Sequence, residues 1–127
     1  MTARMLRAVA NPLVNTLNHP SGRKIAQRDG YAVDMQAVVE QAASAGCALE
    51  LNSDPSRLDL NGTWARRGLG LGARFTISSD AHSTSELDFM QFGIGSARRG
   101  WLTAGDVLNT RPLDELRALL SARRSVP

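Results

Sequence analysis

Apolar residues recur near the start of the chain at a helical rather than an extended spacing. Met5, Leu6 and Val9 fall on one side of residues 2–10, Thr2 stands where an N-cap would, and Asn11-Pro12 ends the segment, because a residue before proline avoids helical backbone. A short helix is predicted there. Residues 13–17 are then an apolar-rich run, and the polar, glycine-containing stretch 18–30 follows, which reads as a strand delivering a long loop. Asp34 is placed to cap a second helix with Met35, Val38, Val39 and Ala42 on one face, and Gly46 stops it in the position glycine favours. Residues 47–51 form a short buried strand, 52–60 a loop, and 61–71 a helix rich in Arg and Gly. Residues 74–78 make a third strand that runs into Ser79-Asp80-Ala81-His82. Beyond it come a helical start at Ser85-Glu86-Leu87-Asp88, a glycine-broken stretch at Gly93-Ile94-Gly95, and a helix opened by a capping box of Thr103 and Asp106. A last helix begins near Pro112 and is expected to bury Leu113, Leu116 and Leu120.

Strand and helix alternate from Leu13 onward, which calls for an α/β fold with about three parallel strands and flanking helices. Three strands cannot close a barrel. The pattern therefore fits a small open sandwich or a piece of something larger, and the chain shows no internal repeat, low-complexity tract or linker that would divide it.

Composition narrows the setting. The 127 residues are 43% hydrophobic and 21% charged, typical of a globular domain with one small core. Fifteen Lys and Arg against twelve Asp and Glu give a net charge of +3, which permits a polyanionic partner without requiring one. One cysteine, Cys47, excludes an intramolecular disulfide and a Cys-rich zinc cluster and is expected to be a small buried hydrophobe. With no apolar run near the roughly 20 residues of a membrane span, and no leader pattern, a cytoplasmic protein is expected.

In parallel α/β folds the chemistry sits on loops at the C-terminal ends of the strands. That rule selects His19, Asn52, and Asp80 with His82. Asp80 and His82 are two apart, so in extended geometry both point to one side, and a carboxylate beside an imidazole can bind divalent metal. The same residues also read as a polar turn whose aspartate caps the next helix. His19 alone is an ordinary loop histidine, yet both histidines of the chain directly follow predicted strands. Glu50 and Asn52 alternate along one strand, and Asn52 can orient a ligand or a substrate. Arg23, Arg98 and Arg99 suit phosphate contacts and Trp101 a stacked base, with a solvated basic face as the plainer alternative for all four. The run Gly68-Leu69-Gly70-Leu71-Gly72 closes a helix instead of opening one, so it is read as a helix terminus and not as a nucleotide loop.

Several segments are specific enough to carry a resemblance. They are Asn18-His19-Pro20-Ser21-Gly22-Arg23, Ala48-Leu49-Glu50-Leu51-Asn52 with Arg57-Leu58-Asp59-Leu60, and Ile77-Ser78-Ser79-Asp80-Ala81-His82. Ala97-Arg98-Arg99-Gly100-Trp101-Leu102 and Asp106-Val107-Leu108-Asn109-Thr110-Arg111-Pro112 complete the set. Together they resemble the C-terminal part of the PHP phosphoesterase domain of bacterial family X DNA polymerases. The resemblance implies a portion of a distorted (β/α)7 barrel, a divalent metal cofactor (Mn2+ or Zn2+), and 3′-5′ exonucleolytic or related processing of DNA 3′ ends in repair. It makes His19, Asp80 and His82 metal ligands, with Asp80 and His82 catalytic, while Arg23, Arg98, Arg99 and Asn52 are the candidate substrate contacts on residue type and position alone.

The H-x-H motif and further ligands that open such domains are not among these residues. Residues 1–127 are therefore expected to be a partial PHP domain lacking its early strands, weak or inactive alone, and open to self-association, to the polymerase domain, or to a chain supplying the rest of the barrel. Two other functions fit the same residues, a non-catalytic module binding DNA or a polymerase, and a small phosphatase of the histidinol phosphatase type.

Overall fold

The computed structural model describes residues 1–124. Helix α1 (Thr2–Ala10) buries Met5 and Val9, as its spacing predicts. Its cap residue is Met1, while the Thr2 hydroxyl accepts the Asp34 N–H at 2.9 Å and ties the start of α1 to the start of the next helix. Strand β1 is only Thr16–Leu17, shorter than the apolar run suggests. The Asn-Pro turn takes the missing part, since Asn11 accepts the Leu13 N–H on its side chain and the Val14 N–H on its carbonyl, leaving Leu13 exposed. Helix α2 (Met35–Ala45) is capped by Asp34, whose carboxylate accepts the Ala37 N–H at 3.0 Å, and it ends at Gly46 with φ 66.

Strands β2 (Ala48–Asn52) and β3 (Phe75–Ser78) flank α3 (Gly62–Gly70), and the three strands form a parallel sheet in the order β1-β2-β3. The glycine run at 68–72 closes α3 and leads to β3, the place the sequence gives it. The register pairs Thr16 with Ala48, Glu50 with Thr76 and Asn52 with Ser78. Because side chains alternate across a strand, Leu17, Leu49, Leu51, Phe75 and Ile77 share one face, and Thr16, Ala48, Glu50, Asn52, Thr76 and Ser78 share the other. The apolar face joins Val9, Val39, Ala42, Leu60, Ala65 and Ala97 in the core. The polar face carries the chemistry.

Two sequence expectations fail after β3. Gly93 and Gly95 do not break the chain; α4 (Met90–Arg99) runs through both, after a 3-10 turn at Thr84–Phe89. Gly93 is there for closeness, because a Cβ would lie 2.0 Å from the Ser53 hydroxyl and 2.7 Å from an Ile77 methyl. The capping box of Thr103 and Asp106 forms but opens only the 3-10 turn Ala104–Asp106, since Val107 leaves it to pair with Phe75 at the edge of β3. Next to that pair the Asn109 side-chain amide accepts the Ile77 N–H at 3.1 Å and donates to the Ile77 carbonyl at 2.8 Å.

Helix α5 (Leu113–Arg124) also differs from its prediction. Leu113 is exposed, Leu116 and Leu120 are half-buried, and its buried residue is Arg123. That guanidinium donates to the carbonyls of Val9 at 2.6 Å, Asn11 at 3.0 Å and Val14 at 2.8 Å, and to that of Ala45. Val9 and Ala45 stand at the C-terminal ends of α1 and α2, where carbonyls lack helical partners and the helix dipole favours a cation. Among the described residues, no helix is long and apolar enough to cross a membrane.

Candidate functional site

The polar face and the strand ends bring four predicted or quoted residues together. Glu50 is buried on β2 and accepts the His19 backbone N–H at 2.8 Å, with the same oxygen 3.4 Å from His19 Nδ1. Its other oxygen accepts from the Ser78 hydroxyl. Asn52, also buried, places its amide nitrogen 3.4 Å from His19 Nδ1. With Nδ1 engaged from β2, His19 turns Nε2 outward to within 3.9 Å of Asp80 Oδ2. The loops after β1 and β3 thus meet over β2, and Glu50 fixes both backbone and ring of the histidine. Fixing a ring through its second nitrogen is how proteins orient a ligating or proton-carrying imidazole.

The third group at Asp80 is one the sequence reading did not single out. Arg57 Nε lies 3.4 Å from Asp80 Oδ2, with both side chains about four-fifths shielded from solvent. The loop bearing Arg57 is tied to the loop bearing His19 by two crossed attachments. Asp59, 1% exposed, accepts the Ser21 N–H at 3.0 and 3.1 Å and the Gly22 N–H at 2.8 Å. In the other direction Arg23 donates to the Arg57 carbonyl at 2.9 Å and to the Leu58 carbonyl. The guanidinium of Arg23, expected at a phosphate, therefore braces the loop. Gly22 permits the turn, with φ +64 and no room for a Cβ against the Tyr31 ring. Asp59 was signalled in the sequence by a carboxylate set between Leu58 and Leu60, an apolar context that requires buried partners.

His82 is not gathered into this cluster. Asp80 adopts φ 58, so the chain turns left-handed there and the extended alternation expected from Asp80 to His82 does not hold. The His82 side chain is exposed, and its backbone N–H donates to the Glu86 carboxylate at 2.6 Å. Among the described residues no group of three or more His, Cys, Asp or Glu side chains is arranged to hold a metal ion. Two donors face each other, Glu50 is committed to the His19 N–H and Ser78, and Arg57 already neutralises Asp80. By itself this donor set does not make up a metal site.

The adjacent arginines of α4 part company, as residues about 100° apart around a helix must. Arg98 lines a small apolar hollow with Ile94, Ala97 and Leu102, whereas Arg99 lines a groove with Arg66 and Trp101. Near Arg57, burial acts against the charge of Asp54, but the hydrogen bonds from Ser56 and the charges of Arg57 and Lys24 outweigh it, so its pKa is lowered. Burial raises the pKa of the Cys47 thiol, and the charge of Arg123 opposes that only partly.

No protein-family model matches the chain. Over 117 residues it is 38% identical to the DNA polymerase/3′-5′ exonuclease PolX of Bacillus subtilis (strain 168), a stretch that is 92% of this chain and 20% of that protein. The chain thus spans about a fifth of the length of the curated relative it matches. Identity at that level along nine-tenths of the chain relates it to a segment of a family X DNA polymerase, as the segments around His19, Asp80 and Trp101 imply.

Proposed function

We propose that this relative of the family X DNA polymerases carries part of their PHP phosphoesterase site, which hydrolyses DNA phosphodiesters at 3′ ends with a divalent metal, Mn2+ or Zn2+. The observation that carries the reading is the approach of His19 Nε2 to Asp80 Oδ2, 3.9 Å, across the tops of parallel strands. It is supported by a relative whose name includes a 3′-5′ exonuclease. In this reading residues 1–127 form a partial PHP domain, and groups outside them complete the metal site. Within the chain, Glu50 and Asn52 set the direction of His19, and the Asp59 and Arg23 attachments hold the two loops in register. Hydrolysis by these residues alone is weak.

One observation favours a second reading, a DNA-binding module without catalysis. Arg57 occupies Asp80 with a fixed cation, which leaves that carboxylate satisfied without metal. The two readings separate on stoichiometric metal and on hydrolysis. Equilibrium dialysis with Mn2+ and with Zn2+, followed by elemental analysis, should show bound metal that falls in His19→Ala and Asp80→Ala, with slow loss of nucleotides from a 3′ single-stranded end. A protein that holds no metal, leaves the 3′ end intact and responds to neither substitution would overturn the enzymatic reading.

A further inference from the structure

A second surface lies outside the His19 and Asp80 cluster and shares none of its residues. It is a groove of about 570 Å3 between α3 and α4, lined by Asn61, Gly62, Thr63, Arg66, Arg99 and Trp101. Its floor is built by two close backbone approaches. A Cβ on Gly62 would lie 2.8 Å from the Arg99 Cβ, and one on Gly100 would lie 2.6 Å from the Ala65 Cβ. The glycines let the first turn of α3 sit directly against the end of α4 and bring Arg66 and Arg99 to one opening.

Trp101 follows with φ +62, a left-handed backbone that directs the chain out of α4 at this point. Its indole is 68% exposed although the Arg66 guanidinium lies over the ring at 3.1 Å from the centroid. One face of the ring is thus covered by a cation, and most of the remainder meets solvent. An exposed indole offers a flat apolar face on which another ring can stack. No carboxylate lines the groove, and among the described residues neither Arg66 nor Arg99 forms an ion pair. Two unpaired guanidiniums beside an exposed indole match a strand offering phosphates and an unstacked base. A duplex keeps its bases stacked inside and has no face to lay on Trp101.

We infer that the Arg66, Arg99 and Trp101 groove binds single-stranded DNA, with the arginines on consecutive phosphates and a base on the open face of Trp101. The inference rests on the reading that DNA is the partner of this chain, and it adds a place for the strand apart from the site of hydrolysis. The base extends the stack already formed by Arg66 and the indole. Binding at this groove is independent of metal and indifferent to base identity, because every base has a face to stack.

The test uses fluorescence anisotropy of a labelled oligothymidylate of about 12 nucleotides, within the span of common single-strand sites, with EDTA present. Arg66→Ala, Arg99→Ala and Trp101→Ala should each weaken binding about tenfold. Each arginine removed should also flatten the dependence of log affinity on log salt by about 0.7. Arg117→Ala on α5 controls for net charge and should change affinity less than twofold. Trp101→Phe, which keeps a stacking face, should retain more binding than Trp101→Ala, and circular dichroism melts of all variants should overlay. Intrinsic tryptophan fluorescence should be quenched by the oligonucleotide in the parent protein and much less in Trp101→Ala, where Trp64 is the remaining tryptophan. The inference is overturned if the parent protein does not bind the strand, if it binds a duplex as tightly, or if the groove variants behave like Arg117→Ala. Asp80→Ala separates the two readings, since it should abolish hydrolysis and leave this binding intact. Loss of binding in Asp80→Ala alone would reject the groove while keeping the site over β2.

Discussion

Replacing Asp59 by Asn changes one oxygen of a buried side chain to an amide nitrogen and so tests whether this residue holds the His19 loop. The carboxylate accepts two backbone N–H groups, from Ser21 through both oxygens and from Gly22 through one, at 2.8 to 3.1 Å. Hydrogen bonds to a charged acceptor contribute about 1.5–3 kcal/mol each, and a buried donor left without a partner costs about 1–3 kcal/mol. Asparagine keeps the shape and, with its oxygen in the Oδ2 place, an acceptor for both N–H groups, but that acceptor is uncharged and the N–H2 takes the Oδ1 place and faces the Ser21 N–H. A neutral hydrogen bond contributes about 0.5–1.5 kcal/mol, so weakening two of them gives an expected loss of about 2–3 kcal/mol, a large share of the roughly 5–15 kcal/mol typical of a domain. Urea unfolding should show the midpoint falling with an unchanged slope, because the surface exposed on unfolding is the same. Loosening should also reach His19, whose ring resonances in a 15N-correlated spectrum should move or broaden. A midpoint shift worth less than about 0.5 kcal/mol, the range of ordinary surface substitutions, would refute the assignment of Asp59 as the clamp of that loop.

Three other outcomes are expected. Arg123→Ala removes the donor shared by the carbonyls of Val9, Asn11, Val14 and Ala45, so thermal unfolding should show a loss of about 2–4 kcal/mol, with amide exchange in α5 rising first; uniform exchange would contradict it. For Cys47, burial raises the folded pKa above the ordinary 9.0, so its contribution is complete below that value and is lost as pH rises through the folded pKa. Stability measured above pH 9 should therefore fall more steeply in the parent than in Cys47→Ala, and equal slopes would sink the idea. Gly100→Ala should lower stability by about 1–3 kcal/mol as α3 and α4 are forced apart, and a neutral effect in urea unfolding would show that the contact with Ala65 yields easily.

What the sequence made legible was whatever local periodicity and termini encode. Asp34 and Gly46 bound α2, and the alternation of Leu49 and Leu51 with Glu50 and Asn52 separates the two sheet faces. The strand-end rule found His19, Asn52 and Asp80, which the fold brings together. Features set by distant partners were hidden. Gly93 looks like a breaker until Ser53 is seen beneath it, and Arg123 looks like a solvated end of α5 until three carbonyls from around α1 meet it. Arg57 gives no local sign of pairing with Asp80, because the pair spans two loops. The left-handed turn at Asp80 redirects His82 in a way that residue spacing does not express.

The Asn109 amide has a consequence for how the sheet can grow. By offering both an acceptor and a donor to Ile77, it imitates one residue of a neighbouring strand without being one, and Val107 bridges the edge beside it at Phe75. The outer side of β3 is thereby closed to further pairing at its centre. On the other side, Thr16 and Leu17 pair with β2 alone, and among the described residues no strand lies beyond them. The sheet has a finished margin and an unfinished one. An extended segment seeking backbone partners, whether from this chain or another, is directed to the margin beside His19.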